Sequence, residues 1–200
     1  MFASLFSQEM SPDFAMLLAK WLWCLLSIVW LVMAFTTKKA KHTETLLERL
    51  LHIAPLLLAF WLLFGRSKLF PWLYDPLLPG HPFLWWMGIL ITALGVAISI
   101  WARLSLGSNW SGMVTLKADH ELIRKGLYRF IRHPIYTGIL IAFLGTGLIR
   151  SQWRDLLSFL ILYATFYFKA RREESFLQRE FGSSFTEHQR RTGMFWPKLS

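Results

Sequence analysis

The sequence predicts an all-α integral membrane protein of about five transmembrane helices, with no Rossmann fold. Three observations predict it. Of 200 residues, 54% are hydrophobic and 16% aromatic, with 11 Trp and 17 Phe, while only 17% are charged; an ordinary soluble domain carries about 25% charged residues. The apolar residues fall into runs near the roughly 20 needed to cross a bilayer. The basic residues, which give a formal net charge of +10, gather on one side of those runs. A chain of this length has room for one domain.

The first span runs from about Phe14 to Phe35, interrupted only by Lys20, whose stem can snorkel toward an interface. A basic stretch, Lys38 to His42, follows. The second runs from about Leu46 to Phe64, with Pro55 kinking rather than ending it, because neighbouring helices can satisfy the freed carbonyl. A connector from Gly65 to Pro82 holds four prolines and reads as a loop. The third span, Phe83 to Trp101, has no charge. Residues 102–134 are polar, basic and glycine-punctuated. Two shorter runs, Ile135 to Ile149 and about Leu156 to Phe168, make a tight helical hairpin. Beyond Lys169, Phe176, Leu177, Phe181 and Phe185 are spaced for one face of an interfacial amphipathic helix. The chain therefore divides into three N-terminal spans (1–100) and a C-terminal core (101–200).

With five spans, Lys20, Arg66, Lys68, Arg150 and Arg154 fall on one side and the other seventeen of the 22 Lys and Arg residues on the opposite side. That asymmetry is a positive-inside signal. It places the N-terminus outside and the C-terminus in the cytoplasm, and explains the net charge as topology and attraction to anionic lipid heads, with no nucleic acid. The one cysteine, Cys24, excludes an internal disulfide and a cysteine-based zinc cluster, and its apolar run predicts a buried thiol. Glu9 and the lack of a basic n-region argue against a signal peptide. No metal ligand set is expected. Nucleotide-binding glycine motifs, H-E-x-x-H and the G-x-S-x-G elbow are missing.

Two polar segments remain, on the same predicted side, flanking the hairpin. One runs from His120 to Gly138; the other is Lys169 to Glu174. Pro134 suits the first turn of the fourth span, with His133 as its N-cap. A helix N-terminus there offers N–H groups and a positive dipole end to an anion. Glu173 and Glu174 lie just past the fifth span, so the hairpin returns them toward His133. A basic end opposite paired carboxylates suits a zwitterion, and Tyr128 and Tyr136 are candidate aromatic walls for a ring or a sulfonium. The bland alternatives are anchoring arginines, a capping histidine, belt tyrosines and a solvated charge cluster.

Taken together, R-H-P-x-Y-x-G (Arg132 to Gly138), preceded by H-E-L-I-x-x-G-x-Y (His120 to Tyr128) and followed by Glu173-Glu174 and F-G-x-x-F (Phe181 to Phe185) before Pro197, resembles the isoprenylcysteine carboxyl methyltransferase and phospholipid methyltransferase superfamily. The resemblance covers about residues 101 to 197. It implies a membrane methyltransferase using S-adenosylmethionine in a cytoplasmic pocket between the loop before span four and the C-terminal helix. It also implies roles: His120, Glu121, Leu122 and Ile123 lining the cofactor mainly through backbone, and Tyr128 touching it. Arg132, His133, Pro134, Ile135 and Tyr136 would clasp its methionine part. Glu173 would hold the ammonium, with Glu174 in support. Family members often carry Arg four residues before that first Glu, to place the acceptor. Here the position is Lys169, with Arg171 and Arg172 close by, and Lys supplies a point charge in place of a bidentate fork. Leu127 stands where a Pro is common.

A lipidic acceptor follows from a reaction centre at the bilayer surface. The resemblance leaves carboxyl O-methylation of an isoprenylcysteine and N-methylation of a phospholipid open. A rival enzyme class, sterol-reductase-like proteins using NADPH, shares R-H-P-x-Y on longer chains. A transporter or scaffold is the non-enzymatic rival, against which stand the few ionisable groups within the spans.

Overall fold

The computed structural model describes residues 11–35, 46–66, 70–107 and 122–198. Six α-helices lie among them, with no strand but two isolated bridges. Helix α1, Pro12–Ala34, starts at Ser11, whose Oγ accepts from the Phe14 N–H at 3.1 Å, with Pro12 in the first turn; both are standard N-terminal devices. Its buried residues, Ala15, Met16, Ala19, Trp23 and Leu26, form one stripe. Cys24 lies off that stripe and is exposed. The expected burial is wrong because an apolar run in a membrane protein has a lipid face as well as a protein face.

Helix α2 is Leu46–Phe64, with Pro55 inside it. The connector contains a 3₁₀ turn, Pro71–Tyr74. Helix α3, Pro82–Leu106, is capped by His81, whose Nδ1 accepts from the Phe83 N–H at 3.1 Å. It outlasts the apolar run that ends at Trp101, because the fully buried Arg103 works for it: the guanidinium donates to Gly107 O at 2.8 Å and to Met33 O at 3.0 Å, tying the ends of α3 and α1 together.

Helix α4, Pro134–Arg150, packs backbone to backbone on α3. Small residues make this possible: a Cβ at Gly95 would lie 2.3 Å from Ala142 N, and one at Gly138 2.3 Å from Ser99 Oγ. Close approach through small residues is how helices associate in lipid, where burial of apolar surface gives no driving force. Thr92 and Thr146 meet at 3.2 Å across this seam, and Trp23 Nε1 donates to Thr146 Oγ1 at 3.0 Å, bringing in α1. Trp23, Phe60 and Phe143 close the core edge to face, with centroids 4.9–5.3 Å apart.

After a turn at Ser151, a reciprocal box between Gln152 and Asp155 starts α5, Trp153–Phe181. At about 1.5 Å per residue this helix is ~44 Å long. There is no break at Lys169; the polar segment continues the helix in which the fifth apolar run begins. The single amphipathic face expected beyond Lys169 is therefore corrected: Phe176, Leu177 and Phe181 end α5, and Phe185 is buried in α6, Ser183–Arg191, beyond a bend at Gly182 with φ 50°. Among the described residues two helices, α1 and α3, are long and apolar enough to cross a membrane, and α4 and residues 50–64 of α2 are shorter apolar helices. Much of this apolar surface faces outward, Trp21, Leu31, Leu57, Leu90 and Phe168 among it. An outward apolar surface of this extent is suited to a bilayer.

Candidate functional site

The site is built where the start of α4, the last turns of α5 and the chain after α6 meet. His133 is the N-cap of α4, but its ring makes no capping bond. Instead the ring bridges two carboxylates: Nε2 lies 3.2 Å from Glu174 Oε1, and Nδ1 3.4 Å from Glu173 Oε2. A ring with a carboxylate at each nitrogen is a protonated ring. Burial alone would lower its pKa, yet the two carboxylates outweigh that and hold it above its ordinary value.

Glu174 is the buried anchor. Arg132 Nε donates to its Oε1 at 2.7 Å and Gln189 Nε2 to its Oε2 at 3.1 Å. Burial would raise its pKa, but the bonds from His133 and Arg132 win and bring it to about 2. Glu173 is different. The Tyr136 hydroxyl donates to Oε1 at 2.6 Å, and its side chain stays 21% exposed. His133, Lys169 and Tyr136 together overcome burial and keep it ionised. An ionised carboxylate has about four acceptor sites, so Glu173 retains capacity for an incoming ammonium. The residues present thus fit an ammonium group such as the one S-adenosylmethionine carries.

The aromatic residues are packed together. Tyr136 stacks on Phe166, centroids 4.5 Å apart, and on His133, 5.4 Å apart. Tyr128 is buried with Ala102 and Ile135, and burial, aided by the Glu173 charge, keeps its phenol protonated. Ile135 is buried beside it and Pro134 is buried, Ile123 is half-buried against the same cluster, and Leu122 is half-buried. Lys169 Nζ lies 5.8 Å from the Tyr136 centroid. One helical turn separates Lys169 from Glu173, so both share a face. Arg171 is exposed, about 200° around the helix from Lys169, and is not brought to the cluster. Arg172 is half-buried. His120 and Glu121 lie outside the described residues.

The tail contributes what sequence reasoning missed. Residues 130–133 and 193–194 run side by side: the Gly193 N–H donates to Phe130 O, that of Arg132 to Gly193 O at 2.9 Å and that of His133 to Met194 O at 3.1 Å. Arg132 also donates through Nη1 to Thr192 O at 2.5 Å, and Thr137 Oγ1 to Phe195 O at 2.7 Å. The N–H groups of Arg132 and His133 are therefore bonded to the tail, and since Pro134 has none, the N–H groups that α4 can offer an anion are those of Ile135 and Tyr136. F-G-x-x-F marked a tail motif in the sequence but gave no hint of its partner, and Gln189 carried no signal at all.

A family model described as phospholipid methyltransferase matches residues 83–184. Among curated proteins, the uncharacterized protein YpbQ of Bacillus subtilis (strain 168) is 32% identical over 85 residues, 42% of this chain and 51% of that protein. A protein-S-isoprenylcysteine O-methyltransferase of Schizosaccharomyces pombe is 32% identical over 101 residues, 49% of this chain and 43% of that protein. Among solved structures, a eukaryotic intramembrane Ras methyltransferase (isoprenylcysteine carboxyl methyltransferase) aligns with a TM-score of 0.48 at 23% identity, over 78% of this chain and 54% of that one. The chain thus matches about half the length of these relatives.

Proposed function

The chain belongs to the phospholipid methyltransferase family, and from that membership we propose that it is an integral membrane methyltransferase using S-adenosylmethionine and acting on a lipidic acceptor. The reading includes five spans, an outside N-terminus, and the site and C-terminus in the cytoplasm, supported by the division of basic residues. The observation that carries it is the pairing of His133 with both Glu173 and Glu174, which joins the two halves of the motif in one charged cluster.

When bound, the cofactor supplies a methyl group made electrophilic by a sulfonium. Glu173 holds the ammonium. Glu174, Arg132 and Gln189 fix the angle of His133 and so the position of Glu173. Tyr128, Ile123 and Ile135 exclude water on the α3 side. Lys169, facing the same way as Glu173, positions an anionic acceptor, with Arg172 near it on the helix. Alignment of this kind contributes up to about 7–11 kcal/mol to methyl transfer.

The favoured acceptor is a carboxylate, an oxygen acceptor in keeping with the relatives named protein-S-isoprenylcysteine O-methyltransferase. A carboxylate needs no general base, whereas an amine must lose a proton. His133 is a poor base because two carboxylates hold its proton in place. The second reading, N-methylation of a phospholipid, draws on the description of the family model and would require a general base in addition to the groups that hold the ammonium.

Calorimetry on the purified chain tests the cofactor: S-adenosylmethionine should bind at micromolar levels, about −8 kcal/mol, and NADPH should not compete. Labelled methyl transfer to a farnesylated cysteine, but not to phosphatidylethanolamine, is the expected acceptor result. Binding of NADPH alone would overturn the reading in favour of a reductase.

A further inference from the structure

Four of the five basic residues on the charge-poor side of the spans are not scattered. Lys20 of α1, Arg66 after α2, Arg150 at the end of α4 and Arg154 in the first turn of α5 converge on one cavity of about 790 Å³; Lys68 lies outside the described residues. Among the described residues, Asp13 is the one carboxylate lining it. The cavity is at the opposite end of α4 from His133, about 25 Å away along a 17-residue helix.

The cavity has a built floor. Arg154 is buried, donates to Gln152 Oε1 at 2.7 Å and to Gly65 O at 2.6 Å, and lies 4.4 Å over the Tyr74 ring. Two of its five N–H groups are thereby used. Arg150 donates to Leu63 O and stands 3.6 Å from Asp155, while its buried Nε has no partner among the described residues. Both guanidiniums are held in place before any ligand arrives, and their forks match a phosphate.

A second, apolar slot of about 190 Å³ adjoins this basin and shares Tyr74 and Arg154 with it. Leu58, Trp61 and Leu62 of α2 line one wall, and Leu157 and Ile161 of α5 the other. A free phosphate would use the basin alone. A basin for an anion and a slot for a hydrocarbon chain, side by side and sharing Tyr74 and Arg154, match one molecule with both parts.

We propose that this end of the bundle is a binding site for an anionic phospholipid, with its phosphate among Lys20, Arg66, Arg150 and Arg154 and an acyl chain between α2 and α5. The site is separate from the Glu173 cluster and does not depend on methyl transfer.

Native mass spectrometry of the whole chain in detergent tests it, with phosphatidylglycerol, phosphatidylcholine and glycerol phosphate as probes. Phosphatidylglycerol should bind at least about tenfold more tightly than phosphatidylcholine. Lys20→Gln with Arg66→Gln, both exposed and away from the helix seams, should remove most of that preference while circular dichroism is unchanged. Leu157→Trp, which fills the slot, should weaken phosphatidylglycerol and leave glycerol phosphate as it was. Equal binding of the two lipids overturns the proposal, as does an unaffected double variant. Glycerol phosphate binding as tightly as phosphatidylglycerol would make this a soluble-anion site and also overturn it.

Discussion

Arg132 and Glu174, 42 positions apart, meet at 2.7 Å with both side chains nearly buried. The contact joins the residue before α4's cap to the sixth turn of α5, and His133 and Gln189 complete the shell around the same carboxylate. With Glu174 occupied in this way, Glu173 one position earlier is left partly open. Adjacent residues on a helix differ by about 100° in direction. That offset lets one carboxylate hold the structure while its neighbour faces a ligand.

Glu173→Gln should weaken S-adenosylmethionine binding by about tenfold to a hundredfold, the charge-assisted part of a hydrogen bond being roughly 1.5–3 kcal/mol. Glu187→Gln is the matched control. Its exposed pair with Arg191 contributes about 0–1 kcal/mol and binding should not change. Calorimetry on the three proteins decides, and equal affinities would remove Glu173 from the site.

Stability should depend on pH at both ends. The raised pKa of His133 contributes stability that is complete below its ordinary value of 6.5 and is lost as pH climbs through the folded value. Glu174, lowered from 4.5 to about 2, contributes above 4.5 and loses that contribution as pH falls toward 2; the shift corresponds to roughly 3 kcal/mol at about 1.4 kcal/mol per unit. Thermal unfolding of wild type should therefore show an alkaline decline that His133→Gln flattens. A wild-type midpoint that rises through the same alkaline window contradicts the bridged imidazolium.

Gly193→Ala should undock the tail. A Cβ there would lie 1.6 Å from Trp196 O, a clash with backbone that no rotamer relieves. Because Gly193 bonds Phe130 and Arg132, the cofactor site should loosen while the helical bundle persists. The expected result is a loss of S-adenosylmethionine affinity of about tenfold or more, about 1.4 kcal/mol, with faster proteolysis after α6 and little change in helical circular dichroism. Unchanged affinity would show that the tail is not part of the site's frame.

Gly138→Ala should strike the bundle itself. The new Cβ would meet Ser99 Oγ at 2.3 Å and Gly95 O at 2.6 Å, and overpacking of this sort costs about 1–3 kcal/mol. Gly80→Ala, whose nearest neighbour would be Trp85 at 3.9 Å, is the control. Unfolding titrations in mixed micelles should separate the two; equal stabilities would mean that α3 and α4 can move apart at little cost.

Much of this protein follows from short-range information. Hydropathy marks all five apolar runs, His133 and Pro134 mark where α4 begins, and Arg132, His133, Tyr136, Glu173 and Glu174 stand out by residue type. Each depends on residues within a few positions of one another, because capping and helical periodicity act over one or two turns. Tertiary structure decided the rest. Lys169 and not Arg171 faces the cluster because an unbroken α5 sets their angles. Gln189 and the backbone of residues 192–195 complete the site because α6 turns the tail back onto α4. Lys20, Arg66 and the Arg150–Arg154 segment are three separate stretches, and nothing in their local sequence announces that they share a cavity. Contacts of this kind span 15 to 89 positions, a distance over which only the packing of whole helices determines which side chains meet.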